Sequence, residues 1–403
     1  MLTQRPVRVL YSFPHKLGAD RICNTAWQMV NALATAGADV TVFPGVLLKS
    51  LPANVKVHPT LAMGKLRIPY KALGKIRALA LHDWIVAHRV EQLADQFDVV
   101  HTWPMGALRT LQTAERLGIP TVLERPNAHT RFAYEVVQAE CAKLGLSLPK
   151  DHEHAYNAQV LEKEELEFSK ADYLLCPSDF VARTFEEKGF EPGRLVRHQY
   201  GFDERRYYYD SQARKSRRGL SVLFVGGCAP RKGVHYALEA WLLSPAHHDG
   251  IFQIAGEFVP GYAERLAPML CHPSVRVLGH RHDVPELMRQ ADVLILPSIE
   301  EGSALVTSEA RGSGCVLVVS EAAGAVCEHM KNALVHSVGD VRTLGDHLTL
   351  LHKNRRLLEE LRDQSLSTVH EITWRAAGVR LLAAYRNILD AKTQNTEKRL
   401  QPV

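Results

Sequence analysis

The chain has 403 residues, 46% hydrophobic and 23% charged, which is long for a single core and fits two soluble domains of ordinary size. Its formal net charge of +5 is mild, and Lys and Arg are interspersed with Asp and Glu, which argues against a dedicated nucleic-acid binder. The seven cysteines, at 23, 141, 176, 228, 271, 315 and 327, form no CxxC pair and argue against a disulfide framework, and no stretch approaches the ~18 to 20 apolar residues of a membrane span, so the chain reads as cytoplasmic.

Val7–Phe13 predicts the first strand, followed by a loop over Pro14–Asp20 and a helix carrying Ile22, Ala26, Met29, Val30 and Leu33, which Gly37 stops. Val40–Phe43 predicts the second strand. Between Gly64 and Leu81, Lys65, Arg67, Lys71, Lys75 and Arg77 are interleaved with apolar residues and no acid. Such a basic amphipathic surface suits anionic lipid, and equally a solvated helix face or a groove for an acidic acceptor. The alternation resumes with Val99–His101, a helix over Ala107–Leu117 and the strand Thr121–Glu124. This βαβ rhythm predicts a parallel sheet with helices on both faces, which binds ligands at the carboxyl ends of its strands.

A helical region over His152–Ser169 precedes the strand Tyr173–Cys176 and the helix Phe180–Lys188, and Arg194–Arg197 supplies the last strand of a first domain, 1–200. Residues 201–219 are polar, basic and poor in aliphatics, a linker composition. The second domain, 220–373, repeats the architecture with strands at Ser221–Val225, Ile251–Ala255, Val275–Leu278, Val293–Leu296, Val316–Val319 and Ala333–His336. A tail helix over 374–392 carries Ala377, Leu381, Ala384, Tyr385 and Ile388 on one face.

Two segments of the second domain carry chemistry. Val225–Val234, VGGCAPRKGV, is a Gly-rich turn with two cations just before a helix, where cations oppose the macrodipole unless an anion is present. Lys232 offers a compact charge and Arg231 a forked donor, a pair suited to a diphosphate. The turn is not a nucleoside-triphosphate P-loop, because no Gly precedes Lys232 and no Ser or Thr follows it. Pro297–Gly314 sets Glu301 and Glu309 eight positions apart across a loop-to-helix junction. An ionised Glu can clasp a sugar diol, and exposed helix amides favour phosphate. The pairs His152-x-His154 and His280-x-His282 lack Cys or carboxylates at zinc-ligand spacing, and the chain has no Asp-x-Asp. No metal site is therefore assigned, and the local cations take the place of a metal on the diphosphate.

These segments resemble the retaining nucleotide-sugar glycosyltransferases of family 4, which have the α/β GT-B fold of two Rossmann-like domains facing across a cleft. FVGGCAPRKGVHYALEAW is similar to that family's phosphate turn, LPSIEEGSALVTSEARGSG to its Glu-x7-Glu donor motif, and DYLLCPSDFVARTFEEKGF with YGFD to the end of its first domain. The resemblance implies that Glu309 binds the ribose, Glu301 the transferred sugar, and Lys232 with Arg231 the diphosphate, with the base near Gly279–His282 and His280. Gly226 and Gly227 shape the turn, the amides of Gly302, Ser303 and Ala304 complete the cradle, and Gly18 lets the first-domain backbone approach the phosphates. It implies a tail helix that crosses back onto the first domain. It also implies no cofactor beyond a nucleotide-diphosphate sugar as co-substrate, and transfer of a hexosyl group to a glycan or lipid-linked acceptor. This chain departs from the pattern twice. Gly227 stands where an Arg is common, and the His that follows the Thr121–Glu124 strand is absent, leaving His129 as the nearest candidate. A nucleotide-sugar epimerase of the same fold and a non-catalytic nucleotide-sugar binder are the alternatives.

Overall fold

The computed structural model describes residues 5–63, 66–67, 73–213 and 219–400. The first domain is a parallel sheet of seven strands: β1 (Arg8–Leu17), β2 (Asp39–Leu47), β3 (Lys56–Val57), β6 (Val99–Thr102), β7 (Thr121–Glu124), β8 (Tyr173–Cys176) and β9 (Leu195–Arg197). Their order is β3-β2-β1-β6-β7-β8-β9, and a short antiparallel pair, β4 (Ala62–Met63) and β5 (Leu66–Arg67), stands apart. Helices α1 (Ile22–Thr35), α2 (Lys75–Gln92), α3 (Leu108–Arg116), α4 (Thr130–Lys143), α5 (Ala158–Lys170) and α6 (Asp179–Glu186) cover it. Side chains start three of these helices: His129 accepts from the amide of Arg131, Asn157 from those of Gln159 and Val160, and Ser178 from that of Val181.

The second domain is a six-stranded parallel sheet of β10 (Ser221–Val225), β11 (Ile251–Ala255), β12 (Val275–Gly279), β13 (Val293–Leu296), β14 (Val316–Ser320) and β15 (Ala333–His336), in the order β12-β11-β10-β13-β14-β15. Its helices are α7 (Val234–Leu243), α8 (Tyr262–Leu270), α9 (Val284–Gln290), α10 (Leu305–Gly312), α11 (Val341–Lys353) and α12 (Arg355–Ser367). β13 and β14 are buried along their whole length, as runs of Val, Leu and Ile covered on both faces must be. Strand order reverses at β1/β6 in one sheet and at β10/β13 in the other, the switch points at which open parallel sheets bind ligands.

The tail helix α13 (Trp374–Leu400) leaves the second domain and buries Trp374, Ala377, Leu381, Tyr385 and Ile388 in the core of the first, against α1. Gly378 permits this approach, since a Cβ there would lie 2.5 Å from the Ala32 carbonyl oxygen. The two chain crossings between domains touch each other: Phe202 bridges to Thr373, and a Cβ on Gly201 would meet the Trp374 nitrogen at 2.3 Å.

β1 corrects one expectation. The anticipated loop over Pro14–Asp20 is strand as far as Leu17, paired with Leu47 across a register shift between Phe13 and Lys16. Pro14 sits in that irregularity, where its missing N–H costs no ladder hydrogen bond. The helix α4 was not anticipated, because its apolar positions are interleaved with polar ones; Glu135 pairs with Lys188 of the first domain and Glu140 with His235 and Tyr236 of the second.

Candidate functional site

The turn after β10 and the loop after β13 flank the switch point of the second sheet. Pro230–Lys232 forms one 3₁₀ turn, closed by Gly233 at φ 67°, where a Cβ would lie 2.1 Å from the Pro297 carbonyl oxygen. The Ile299 amide donates to the Arg231 carbonyl at 2.9 Å, so turn and loop are tied backbone to backbone. Across this tie Arg231 Nη1 donates to Glu301 Oε1 at 2.7 Å, and Lys232 Nζ contacts the same oxygen. Burial lowers the Lys232 pKa, against the opposing pull of Glu301. Three of the residues assigned to sugar and diphosphate therefore form one buried cluster.

The neighbouring carboxylate, Glu300, is 0% exposed and reaches across the domain boundary. It accepts from the Ala128 amide at 3.2 Å and from His154 Nε2 at 3.2 Å, both in the first domain, while Arg231 Nη1 lies 3.5 Å from its Oε2 and donates to its carbonyl at 2.9 Å. Burial pushes the Glu300 carboxyl up, but the His154 hydrogen bond and the Arg231 charge prevail and hold it at about 2. Gly302 completes this seam: a Cβ would lie 1.5 Å from the Pro126 carbonyl oxygen, and its own carbonyl accepts from Ser178 Oγ at 2.5 Å.

The remaining predicted residues separate into distinct surroundings. Glu309, on α10, is paired with the Tyr207 hydroxyl of the linker; burial raises its pKa to about 7, with Tyr207 and Arg206 pulling the other way. Ser303 is half-buried beside Ala304, whose amide donates to the Ala323 carbonyl at 3.2 Å and is thus engaged within its own domain. Gly226 takes φ 147°, and a Cβ on exposed Gly227 would meet nothing within 4 Å. His280 is exposed and packs edge-on against His282. Gly18 has φ 87°, and a Cβ there would lie 2.5 Å from Lys49 Cβ, so packing against β2's exit already requires glycine.

His129 is a correction. It caps α4, its Nδ1 accepting from the Arg131 amide at 3.2 Å, and it is 2% exposed among Phe168, Phe185 and Phe190. Burial lowers its pKa to about 3, so it stands as a neutral core histidine rather than a sugar ligand. His101 is likewise internal, with Nδ1 2.6 Å from the Tyr385 hydroxyl, and Glu124 accepts from the Tyr200 hydroxyl at 2.7 Å with its pKa pushed by burial to about 8. Among the described residues no group of three or more His, Cys, Asp or Glu is arranged to hold a metal.

Sequence reasoning missed Glu300, His154 and a second contact between domains. There Glu140 of α4 accepts from the Tyr236 hydroxyl at 2.6 Å and lies 2.9 Å from His235 Nε2. The Glu300-Glu301-Gly302 run held the only signal for the first; nothing local marks the others. A cavity of about 630 Å³ opens beside these contacts, lined by Phe132, Phe180, Tyr236, Ile299 and Glu321 and by none of the predicted donor residues. In the first domain, Ile76 (56% exposed) and Trp84 (53% exposed) project from α2, which also carries exposed Lys75 and Arg77, while Lys65 and Lys71 lie outside the described residues. No helix among the described residues is long and apolar enough to cross a membrane.

Comparison with known proteins agrees with this architecture. Residues 24–206 match the family model described as Glycosyltransferase Family 4, and residues 219–354 match Glycosyl transferases group 1. A D-inositol 3-phosphate glycosyltransferase of Mycobacterium tuberculosis is 26% identical over 404 residues, covering 91% of this chain and 76% of the relative. Among solved structures, a sucrose-phosphate synthase from Thermosynechococcus elongatus superposes with a TM-score of 0.66 at 18% identity over 96% of this chain and 100% of its own. Anabaena HepE in complex with UDP gives 0.62 at 15% identity over 94% and 98%.

Proposed function

From a chain that belongs to the family 4-type glycosyltransferases of GT-B fold, we propose a retaining enzyme that moves a hexosyl group from a nucleotide-diphosphate sugar to a glycan or lipid-linked acceptor without a metal. The observation that carries this reading is the buried contact of Glu301 with both Arg231 and Lys232 at the switch point of the second sheet. In this reading a donor diphosphate takes over the cations, and the Glu301 carboxylate is released toward the sugar hydroxyls. Glu309 serves the ribose, and the amides of Gly302 and Ser303 face the phosphates. The leaving diphosphate is stabilised by these fixed charges, and the acceptor attacks the face it vacates, which retains the anomeric configuration. The exposed apolar and basic face of α2 supports peripheral contact with an anionic membrane, where a lipid-linked acceptor resides.

Protection against thermal unfolding by UDP-, GDP- and ADP-sugars tests the donor site, since a ligand at 100 times its Kd adds ~2.7 kcal/mol. Product analysis with the protecting donor then separates the alternatives. An epimerase converts the donor without acceptor, a mere binder leaves it unchanged, and the proposed enzyme yields a glycoside of unchanged anomeric configuration.

A further inference from the structure

The donor loop does two jobs with adjacent carboxylates. Glu301 turns into its own domain toward Lys232, whereas Glu300 is held from the other domain by the Ala128 amide and His154. One guanidinium serves both: Arg231 donates to Glu301 Oε1 at 2.7 Å and to the Glu300 carbonyl at 2.9 Å, with the Glu300 carboxylate at 3.5 Å. A buried carboxylate is tolerated only while its partners are in place, because removing one leaves an uncompensated charge in a low dielectric. Separating the domains would take away both the His154 and the Ala128 donors at once. The arrangement is tight, since Gly302 and Pro126 meet backbone to backbone in the same seam. His154 contributes through Nε2 alone: its Nδ1 is buried without a hydrogen-bond partner, 3.6 Å from Glu153 Oε1.

We propose that Glu300 and His154 are positioning residues for sugar transfer, forming a clasp between the domains that fixes Arg231 over the donor loop only when the two domains are shut. The inference rests on the reading of the site as a nucleotide-sugar donor site. When the diphosphate draws Lys232 away from Glu301, Glu300 keeps Arg231 from following at random. Arg231 is then aimed at the charge that develops on the leaving diphosphate in the closed state and free to turn in the open one, so closure and chemistry, rather than nucleotide binding, are coupled through one guanidinium. Neither residue touches donor or acceptor; they act through Arg231.

The test uses the full chain with Glu300→Gln, His154→Ala, His154→Gln and the double variant Glu300→Gln/His154→Ala. Nucleotide Kd is measured by calorimetry with UDP, GDP and ADP, turnover with the matching nucleotide sugar, and compactness by small-angle scattering. Glu300→Gln and His154→Ala are expected each to lower kcat by more than about tenfold while changing nucleotide Kd by less than about threefold. Both should enlarge the radius of gyration. His154→Gln, which keeps a side-chain N–H, should recover most of the turnover, and the double variant should be no slower than the worse single one. Wild-type kcat and an unchanged radius in the two single variants would overturn the clasp. So would a Kd that rises as far as kcat falls, or additive losses in the double variant. If the wild-type protein turns over no nucleotide sugar, the transferase reading fails on its own. Scattering still decides the clasp, which is overturned if the variants stay as compact as the wild type.

Discussion

Lys232 is almost enclosed by protein, its side chain 14% exposed, and its ammonium rests on the Glu301 carboxylate. Glu301 and Glu300 pull against burial, which still outweighs them and leaves the Lys232 pKa below its ordinary value; in the proposed reading a donor diphosphate adds a further anion beside it. Lys232→Ala is expected to lower turnover by far more than ~10-fold, the loss that corresponds to ~1.4 kcal/mol of transition-state stabilisation. Steady-state kinetics with the donor found by thermal protection checks this, and an unimpaired variant would place the diphosphate elsewhere. Gly227 bears on the same point. A Cβ at Gly227 would meet nothing within 4 Å, and Arg231 is bound to Glu301 of the donor loop.

At the scale of elements, α2 presents two faces with different chemistry. Ala78, Leu79, Val86 and Val90 are buried against the first domain, whereas Ile76, Arg77, Trp84 and His88 are exposed, with Trp84 stacked on His88. An exposed Trp and Ile beside basic side chains match the interfacial region of a bilayer, where an apolar ring and a cation both find partners. Flotation with vesicles containing phosphatidylglycerol should carry the wild-type protein upward. Replacing Lys75 and Arg77 by Ala should weaken that binding by more than ~10-fold, at roughly 1 kcal/mol per cation near the surface. Wild-type protein that stays at the bottom of the gradient would remove membrane contact from the reading.

Across the whole molecule, two clusters of buried charge hold the domains together, one at Glu300 and one at Glu140. Burial raises the Glu140 pKa, but hydrogen bonds from His235, Tyr236 and Lys143 outweigh it and bring the group down to about 2 from 4.5. A depressed folded-state pKa stabilises above the unfolded value, and that stability is lost as pH falls from about 4.5 through about 2. Glu140→Gln is therefore expected to cost on the order of 2 kcal/mol at pH 7, less than the full linkage value because Lys143 stands in solvent, and the difference from wild type should vanish toward pH 2. Thermal midpoints of both proteins across that range check it; a pH-independent difference would mean that packing, not charge, holds the contact.

The strand-and-turn chemistry was written locally. Val, Leu and Ile runs between glycines mark buried parallel strands whatever surrounds them, and a Gly-rich turn with Arg231 and Lys232 or a Glu-x7-Glu spacing keeps its meaning within one loop. Those features led to the GT-B fold. His129 looked like a loop ligand because nothing in its own neighbourhood shows Phe168, Phe185 and Phe190 closing around it from α5 and α6 and the turn beyond. Glu300 showed only as the acidic neighbour of Glu301, and the roles of His154, Glu140 and His235 carry no local mark, since each gains its role from a partner on the other domain. Burial and long-range pairing decide whether a charged side chain is solvated, structural or poised for a ligand, and only the folded chain brings those partners within reach.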